Sequence, residues 1–379
     1  MRLNPVVTDL GPNPMAAIHE RARALAEEGP LVDFSVGDPD EPTPDVARDA
    51  LVAAVGPTSS YPVAAGTRPA RSAVADYVER RFGRSVDPDR HVIITAGSKE
   101  AVFHLPMVVA EPGGGAVLHP TPGYSVYARG AALAGLEARP YRLSGDFSVD
   151  AALLADAGWD DVRLAWVNSP HNPAGTVIER SEVRRIAEAA AAAGAWLASD
   201  ECYADVYEGA APASVLDDAD PDLTGVVALF SSSKRDGMTG YRVGAMVGDP
   251  RLIEAMRVLK QSAGTVPPAF VQAAAAAAWS TDDHVAPRNE AFAAKRAVLA
   301  AAFELPGFEV VGSRAGLYLW VRVPDEIDVA DRLLAAGVVV TPGSAFGPGG
   351  EGHIRLALVP TVPECERAAE EIRACLTAS

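Results

Sequence analysis

Cysteine is scarce in this sequence: Cys202, Cys365 and Cys375 are the three among 379 residues. They show neither metal-ligand spacing nor a disulfide framework, so a reducing cytoplasm and no metal site are expected. Positive charge is also in short supply, with 33 Lys and Arg against 50 Asp and Glu and a formal net charge of −17. A surface this acidic repels phosphate backbones and anionic lipid, which argues against nucleic-acid or membrane partners. The charge reads first as solubility, although a local group of arginines would still admit a small anion. Long apolar runs are missing as well. Residues 1–14 have no apolar stretch behind a basic start, so no signal peptide is expected. The alanine-rich stretches Ala189–Ala193 and Ala273–Ala278 are too short to span a bilayer and read as helix interiors.

The length predicts two domains. Turn chemistry punctuates the first forty-odd residues, at Gly11-Pro12-Asn13-Pro14 and from Gly37 to Pro44, with a short helix over 15–28 between. From about residue 46, apolar runs of strand length alternate with helical patterns. The runs are His91–Thr95, Ala116–His119, Leu164–Asn168, Trp196–Ser199, Val226–Ser231 and Ala245–Val247, and the helices include Lys99–Ala110 and Ser181–Ala193. Several runs are continuous rather than alternating, as in strands covered on both faces, so an α/β domain with a mostly parallel sheet is predicted. Beyond about 285 come a helix over 286–303, a strand-like run Gly316–Val323, a helix over 328–336, and the runs Val338–Thr341 and His353–Leu358. The expected division is 1–45 as N-terminal arm and part of a small domain, 46–285 as the large domain, and 286–379 as the small α+β domain.

The segment Ser231-Ser232-Ser233-Lys234, followed by Gly240-Tyr241-Arg242-Val243-Gly244, is the most informative. A lysine directly after a buried strand must be paired, exposed or chemically used. Desolvation and nearby positive charge would lower its pKa and free the amine for attack on an aldehyde. Hydroxyls at Ser231 and Ser233 with the Arg242 guanidinium are suited to grip a phosphate dianion. Alone, Lys234 reads as a surface lysine at a strand end; with these neighbours the functional reading prevails.

Asp200 follows the apolar strand Trp196–Ser199, at the end of a strand where α/β proteins bind ligands, though a helix N-cap or a metal ligand would read alike. Glu201 is expected to point elsewhere. Two prolines and a glycine in Asn168-Ser169-Pro170-His171-Asn172-Pro173-Ala174-Gly175 impose a turn that can aim the Asn172 amide into a cleft; the alternative is an ordinary strand-to-helix loop. His171 receives no role. Thr95-Ala96-Gly97-Ser98-Lys99-Glu100 is strand, glycine turn and helix, with backbone amides that suit an anion. A literal Gly-x-Gly-x-x-Gly at Gly347–Gly352 precedes a strand-like run instead of opening a helix, so a dinucleotide site is rejected.

Together these segments resemble the class I/II aminotransferases, the fold-type-I pyridoxal-phosphate enzymes, from Gly37 to Arg355 and in family order. The resemblance implies a large domain with a mostly parallel seven-stranded sheet between helices, a smaller α+β domain, and pyridoxal 5′-phosphate as cofactor. It makes Lys234 the lysine that bonds the cofactor aldehyde and then shuttles the proton. Asp200 pairs with the pyridinium nitrogen, Tyr203 and Asn172 contact the ring's O3′, and Tyr124 stacks on the ring. Ser98, Lys99, Ser231, Ser233 and Arg242 line the phosphate, the first two through backbone. Arg355 forks onto the substrate α-carboxylate, with Asn172 and the Gly37 backbone beside it. Tyr61 reaches the phosphate of a neighbouring subunit, which implies a homodimer. One departure is visible: Gly66-Thr67-Arg68-Pro69-Ala70-Arg71 has alanine where the family commonly has leucine, at a packing position.

The Ser-Lys-Arg, Gly-Asp-Pro-Asp and Gly-Ser-Lys-Glu segments are most similar to succinyldiaminopimelate and LL-diaminopimelate aminotransferases, which implies lysine biosynthesis with glutamate and 2-oxoglutarate as the donor pair. Nearby branches act on aspartate, alanine or aromatic amino acids, and carbon–sulfur β-lyases share the fold and lysine. Arg68, Arg71 and Arg129 are candidates for a distal carboxylate, although surface arginine is the plainer reading of each. The aminotransferase-like sensor of a transcription regulator is disfavoured, since no basic segment lies ahead of residue 30.

Overall fold

Apolar residues run without a break through the central strands because both faces of the main sheet are covered. In the strand Val226–Ser231, Val226, Ala228 and Phe230 enter one apolar core while Val227 and Leu229 enter another on the opposite face. A computed structural model of the chain describes residues 3–11, 16–27, 29–58 and 60–377. The turn read over Pro12–Pro14 and the ends of the helix read over 15–28 lie outside the described residues.

In chain order the strands are β1 (Val32–Asp33), β2 (Val92–Thr95), β3 (Ala116–Thr121), β4 (Glu137–Arg142), β5 (Val162–Asn168), β6 (Trp196–Asp200), β7 (Val226–Ser231) and β8 (Gly244–Gly248). They continue as β9 (Glu309–Val311), β10 (Tyr318–Arg322), β11 (Val338–Val339), β12 (Thr341–Pro342) and β13 (His353–Ala357). The helices begin with α1 (Pro5–Asp9), α2 (Ala16–Ala26), α3 (Asp45–Ala54), α4 (Arg68–Phe82), α5 (Ser98–Val109), α6 (Val126–Leu133), α7 (Ala151–Asp156) and α8 (Arg180–Ala193). The rest are α9 (Ser232–Arg235), α10 (Pro250–Ala263), α11 (Ala269–Trp279), α12 (Val285–Ala302), α13 (Glu326–Ala335) and α14 (Val362–Thr377).

The seven-stranded sheet has the order β2-β8-β7-β6-β5-β3-β4, and β8 alone runs antiparallel to its neighbours. Helices α5, α6 and α10 pack on one face; α4, α8 and α11 cover the other. A mostly parallel seven-stranded sheet between helices is what the resemblance to the fold-type-I enzymes implies.

Six of the seven strands coincide with the apolar runs. The seventh, β4, escapes that reading because it is an edge strand: Glu137, Pro140 and Arg142 are exposed, and Tyr141 is its buried residue. Pro140 has no amide to donate, which an edge tolerates.

A separate apolar core surrounds the four-stranded antiparallel sheet β12-β13-β10-β9, packed by α12, α13 and α14 and joined by Phe34 from the N-terminal segment. The run Val338–Thr341, read as one strand, is two: β11 pairs in parallel with β1, while β12 pairs with β13. Val340 lies between them, where the chain passes from one sheet to the other and stays buried. Ala70, at the departure from the family pattern, is fully buried in α4.

Candidate active site

The C-terminal ends of β5, β6 and β7 open onto a cavity of ≈ 740 Å³ that reaches across to Arg355 on β13. Every residue nominated for the cofactor or the α-carboxylate lines it except Tyr61, which is fully exposed outside it. Such a volume accommodates a cofactor and a small substrate together.

Lys234 is carried by the single turn α9. Ser231 ends β7 and caps that turn, its hydroxyl accepting the Ser233 amide at 3.2 Å, so the strand stops where the lysine must turn into the cavity. The Lys234 Nζ donates to the Gly37 carbonyl. Burial pulls its pKa down to about 8, against Cys202 and Asp38, with Arg242 and Arg355 adding to the fall. An amine so shifted is partly neutral near physiological pH and hence nucleophilic.

Asp200 ends β6, buried. Its Oδ2 accepts the Tyr127 hydroxyl at 2.9 Å and its Oδ1 the Cys202 amide at 3.4 Å. Burial holds the carboxyl above the usual range, with Tyr127 and Cys202 pulling it back. No cationic side chain of the described residues forms an ion pair with it. A protonated ring nitrogen in the cavity would supply the missing charge.

The anion end of the cavity rests on close backbone approach. Gly97 has φ +76°, and a Cβ there would stand 2.7 Å from Arg242 Nη2. A Cβ on Gly244 would meet the Gly97 carbonyl carbon and the Ser98 amide nitrogen at 2.8 Å. The first turn of α5 has amides without helical acceptors, and two glycines let Arg242 and β8 close on it. Arg242 itself holds the left-handed φ +56° and donates to the Thr239 carbonyl at 2.9 Å. Burial, then Arg242, lowers the Lys99 pKa, and Lys99 Nζ lies 5.7 Å from the Tyr124 ring centre. This cradle fits a phosphate, and with the unpaired carboxyl of Asp200 and the amine of Lys234 the donor set fits pyridoxal 5′-phosphate.

At the other end, the Arg355 guanidinium is buried with no carboxylate opposite it among the described residues. It donates to Asn172 Oδ1 at 3.1 Å and to the Ser35 carbonyl at 2.6 Å, while its Nε has no partner. The Tyr318 and Phe346 rings flank it at 4.3 and 4.6 Å. A buried guanidinium held in this way is suited to an incoming carboxylate.

Tyr127, Tyr318, Phe346 and Asn168 were not nominated from the sequence. Tyr127 lies three residues after Tyr124, just inside α6, with its ring 5.7 Å from that of Tyr124, a spacing that could have flagged it. Tyr318 sits inside an apolar run that reads as plain strand. Its hydroxyl lies 2.8 Å from that of Tyr203. Asn168 Oδ1 accepts the Asn172 amide at 2.7 Å and its Nδ2 donates to the Asp200 carbonyl at 2.8 Å, locking the turn to β6.

Other residues lie outside the site. Arg68 and Arg71 pair with Asp89, the latter at 2.6 Å, and Arg129 donates to the Leu10 carbonyl at 3.1 Å; none of the three lines the cavity. Glu201 turns away to accept the Val215 amide at 2.9 Å, and burial pushes its carboxyl up to about 7. Burial pulls His171 down to about 3, which leaves it a neutral structural group. Gly347–Gly352 precede β13 and open no helix.

The family model for aminotransferase class I and II matches residues 29–372. The chain is 37% identical over 355 residues to the 4-dedimethylamino-4-oxo-anhydrotetracycline transaminase OxyQ of Streptomyces rimosus, covering 93% of this chain and 96% of that one. It is 34% identical over 377 residues to the LL-diaminopimelate aminotransferase of Dehalococcoides mccartyi, covering 96% of each. Among solved structures, a probable N-succinyldiaminopimelate aminotransferase of Thermus thermophilus superimposes with a TM-score of 0.88 at 29% identity, over 96% of this chain and all of that one. With a buried amine, an unpaired carboxyl and a phosphate cradle converging on one cavity, the chain belongs to the class I and II aminotransferases, enzymes that move amino groups between amino and oxo acids with pyridoxal 5′-phosphate.

Proposed function

We propose that this aminotransferase acts on succinyldiaminopimelate or LL-diaminopimelate, with glutamate and 2-oxoglutarate as the partner pair, in lysine biosynthesis. The observation that carries this reading is the likeness, along nearly the whole length of both chains, to the Dehalococcoides mccartyi enzyme. The Streptomyces rimosus relative favours a second reading, in which the amino group goes to a polycyclic ketone.

When bound, pyridoxal 5′-phosphate supplies an aldehyde for the substrate amine and a ring that accepts negative charge from the α-carbon. In the roles proposed here, Ser98, Lys99, Ser231, Ser233 and Arg242 hold the phosphate, and Tyr124 covers one face of the ring. Asp200 presents its carboxylate to the ring nitrogen. Tyr203 donates to the ring oxygen together with Asn172, whose Oδ1 is occupied by Arg355 so that its Nδ2 is the group left to donate. Arg355 grips the substrate α-carboxylate, the Gly37 backbone closes beside it, and Tyr318 and Phe346 exclude water from that contact. Lys234 Nζ, with a pKa of about 8, would take the proton from the substrate α-carbon and deliver it, across the nitrogen, to the carbon that was the cofactor's aldehyde.

The separate core around β10 and β13, joined by Phe34, supports a small domain of residues 286–379 to which part of the N-terminal arm 1–45 contributes, beside a large domain of 46–285. Val52, Val55, Tyr61 and Val63 are large apolar side chains exposed within a short stretch of sequence, which supports a homodimer in which Tyr61 serves the neighbouring subunit. Free cysteines support the cytoplasm as the location. No helix among the described residues is long and apolar enough to cross a membrane.

The test is to load the protein with cofactor and follow its visible absorbance on adding succinyldiaminopimelate, LL-diaminopimelate, glutamate, aspartate, alanine or phenylalanine. A rapid change with a diaminopimelate and with glutamate is expected. A response confined to aspartate, alanine or phenylalanine would reassign the substrate, and pyruvate and ammonia formed without an oxo acid would select the β-lyase. Lys234→Ala should abolish turnover.

A further inference from the structure

Beneath the phosphate cradle lies an ion pair that does not touch the cavity. Glu100 is the third residue of α5, and its Oε2 reaches back to accept the Ala96 amide, which fixes the turn Ala96–Lys99. Lys260, in the last turn of α10, is fully buried and donates to both Glu100 oxygens, at 2.6 and 2.8 Å, and to the Thr265 carbonyl at 2.6 Å. His104 Nδ1 stands 3.7 Å from Glu100 Oε1. Neither Glu100 nor Lys260 lines the cavity.

The placement of Glu100 presents a conflict. A carboxylate in the first turn of a helix satisfies the helix terminus, but it brings negative charge to the same turn whose amides face a phosphate. Left uncompensated in a buried site, that charge would oppose a second anion strongly. Lys260, delivered from a different helix, cancels it.

We propose that Glu100 and Lys260 act as a positioning unit: Glu100 shapes the turn that receives the cofactor phosphate, and Lys260 neutralises the carboxylate so that the dianion can bind. This rests on the reading that the turn and Arg242 hold the phosphate. Lys260 thereby sets cofactor affinity through Glu100 while touching neither cofactor nor substrate.

The experiment compares the dissociation constants of pyridoxal and pyridoxal 5′-phosphate, measured by absorbance titration of cofactor-free protein. Their ratio isolates what the phosphate contributes. Proteins to compare are wild type, Lys260→Met, Glu100→Gln and the double variant, each checked for folding by circular dichroism. Lys260→Met should lower the ratio on the order of tenfold or more, and the double variant should return to within about threefold of wild type. An unchanged ratio in Lys260→Met, or a double variant as poor as Lys260→Met, overturns the proposal. If Lys260→Met does not fold, the remaining pair decides: Glu100→Gln leaves a cation under the turn, so its ratio should equal or exceed the double variant's, and a lower one overturns the proposal. A wild-type protein that binds the two aldehydes equally well would instead refute the phosphate cradle itself.

Discussion

The hydroxyls of Tyr203 and Tyr318 lie 2.8 Å apart and tie the segment after β6 to the four-stranded sheet. Tyr203 is proposed to contact the cofactor ring, while the Tyr318 ring lies under Arg355 at 4.3 Å. One hydrogen bond therefore links the ring end of the cavity to the carboxylate end.

Tyr318→Phe removes that bond and keeps the ring under Arg355. The expected result is a fall in kcat of about three- to tenfold, the worth of one hydrogen bond, with KM for the amino substrate nearly unchanged. Steady-state kinetics with the preferred amino acid checks it. A rise in KM without loss of kcat would show that the hydroxyl serves carboxylate binding instead.

Gly37 depends on the same hydroxyl for a different reason. A Cβ at Gly37 would stand 2.6 Å from Tyr318 Oη, which its bond to Tyr203 keeps from moving aside. Gly37→Ala should lower kcat/KM by about tenfold or more. Adding Tyr318→Phe should restore part of the loss. A double variant no better than Gly37→Ala would mean that the backbone, and not the hydroxyl, is the obstacle.

Arg355→Lys retains a positive charge but loses the fork. Loss of bidentate contact to a carboxylate should raise KM for the α-amino acid by about 10- to 100-fold, with a smaller effect on kcat. A lysine variant with wild-type KM would remove the α-carboxylate from this residue.

Lys234 gives a prediction about pH. In cofactor-free protein its pKa is about 8, against an ordinary 10.5. Below pH 8 the fold holds a buried ammonium that the unfolded chain would hydrate. Between about 8 and 10.5 the folded state sheds its proton first, so this penalty fades as pH rises. Lys234→Met should therefore raise the Tm of cofactor-free protein by about 2–5 °C at pH 7, with the gain shrinking toward pH 10. Thermal unfolding at the two pH values measures it, and an equal gain at both would contradict the assignment.

The large sheet was legible because its central strands are apolar on both faces, and a run such as Val226–Phe230 needs no partner to be recognised. Strand β4 was hidden by its exposure at the edge. Residues in glycine- and proline-marked turns, such as Asn172 and Ser98, could be nominated because local backbone restriction leaves a trace in the sequence. Tyr318 and Lys260 could not. Their partners lie 115 and 160 residues away in the chain, and nothing local separates either from an ordinary strand tyrosine or helix lysine.

The single antiparallel strand of the large sheet ties two residues of the cavity together. Because β8 reverses direction after β7, Lys234 and Arg242 both hang from the short return Ser232–Val243 between two hydrogen-bonded neighbours. The spacing of the amine and the guanidinium is therefore held by one local loop. Arg355 rides on a separate sheet. In the roles proposed above, a displacement of that sheet would move the carboxylate grip and leave the amine-to-guanidinium distance unchanged, like a vice with one fixed jaw.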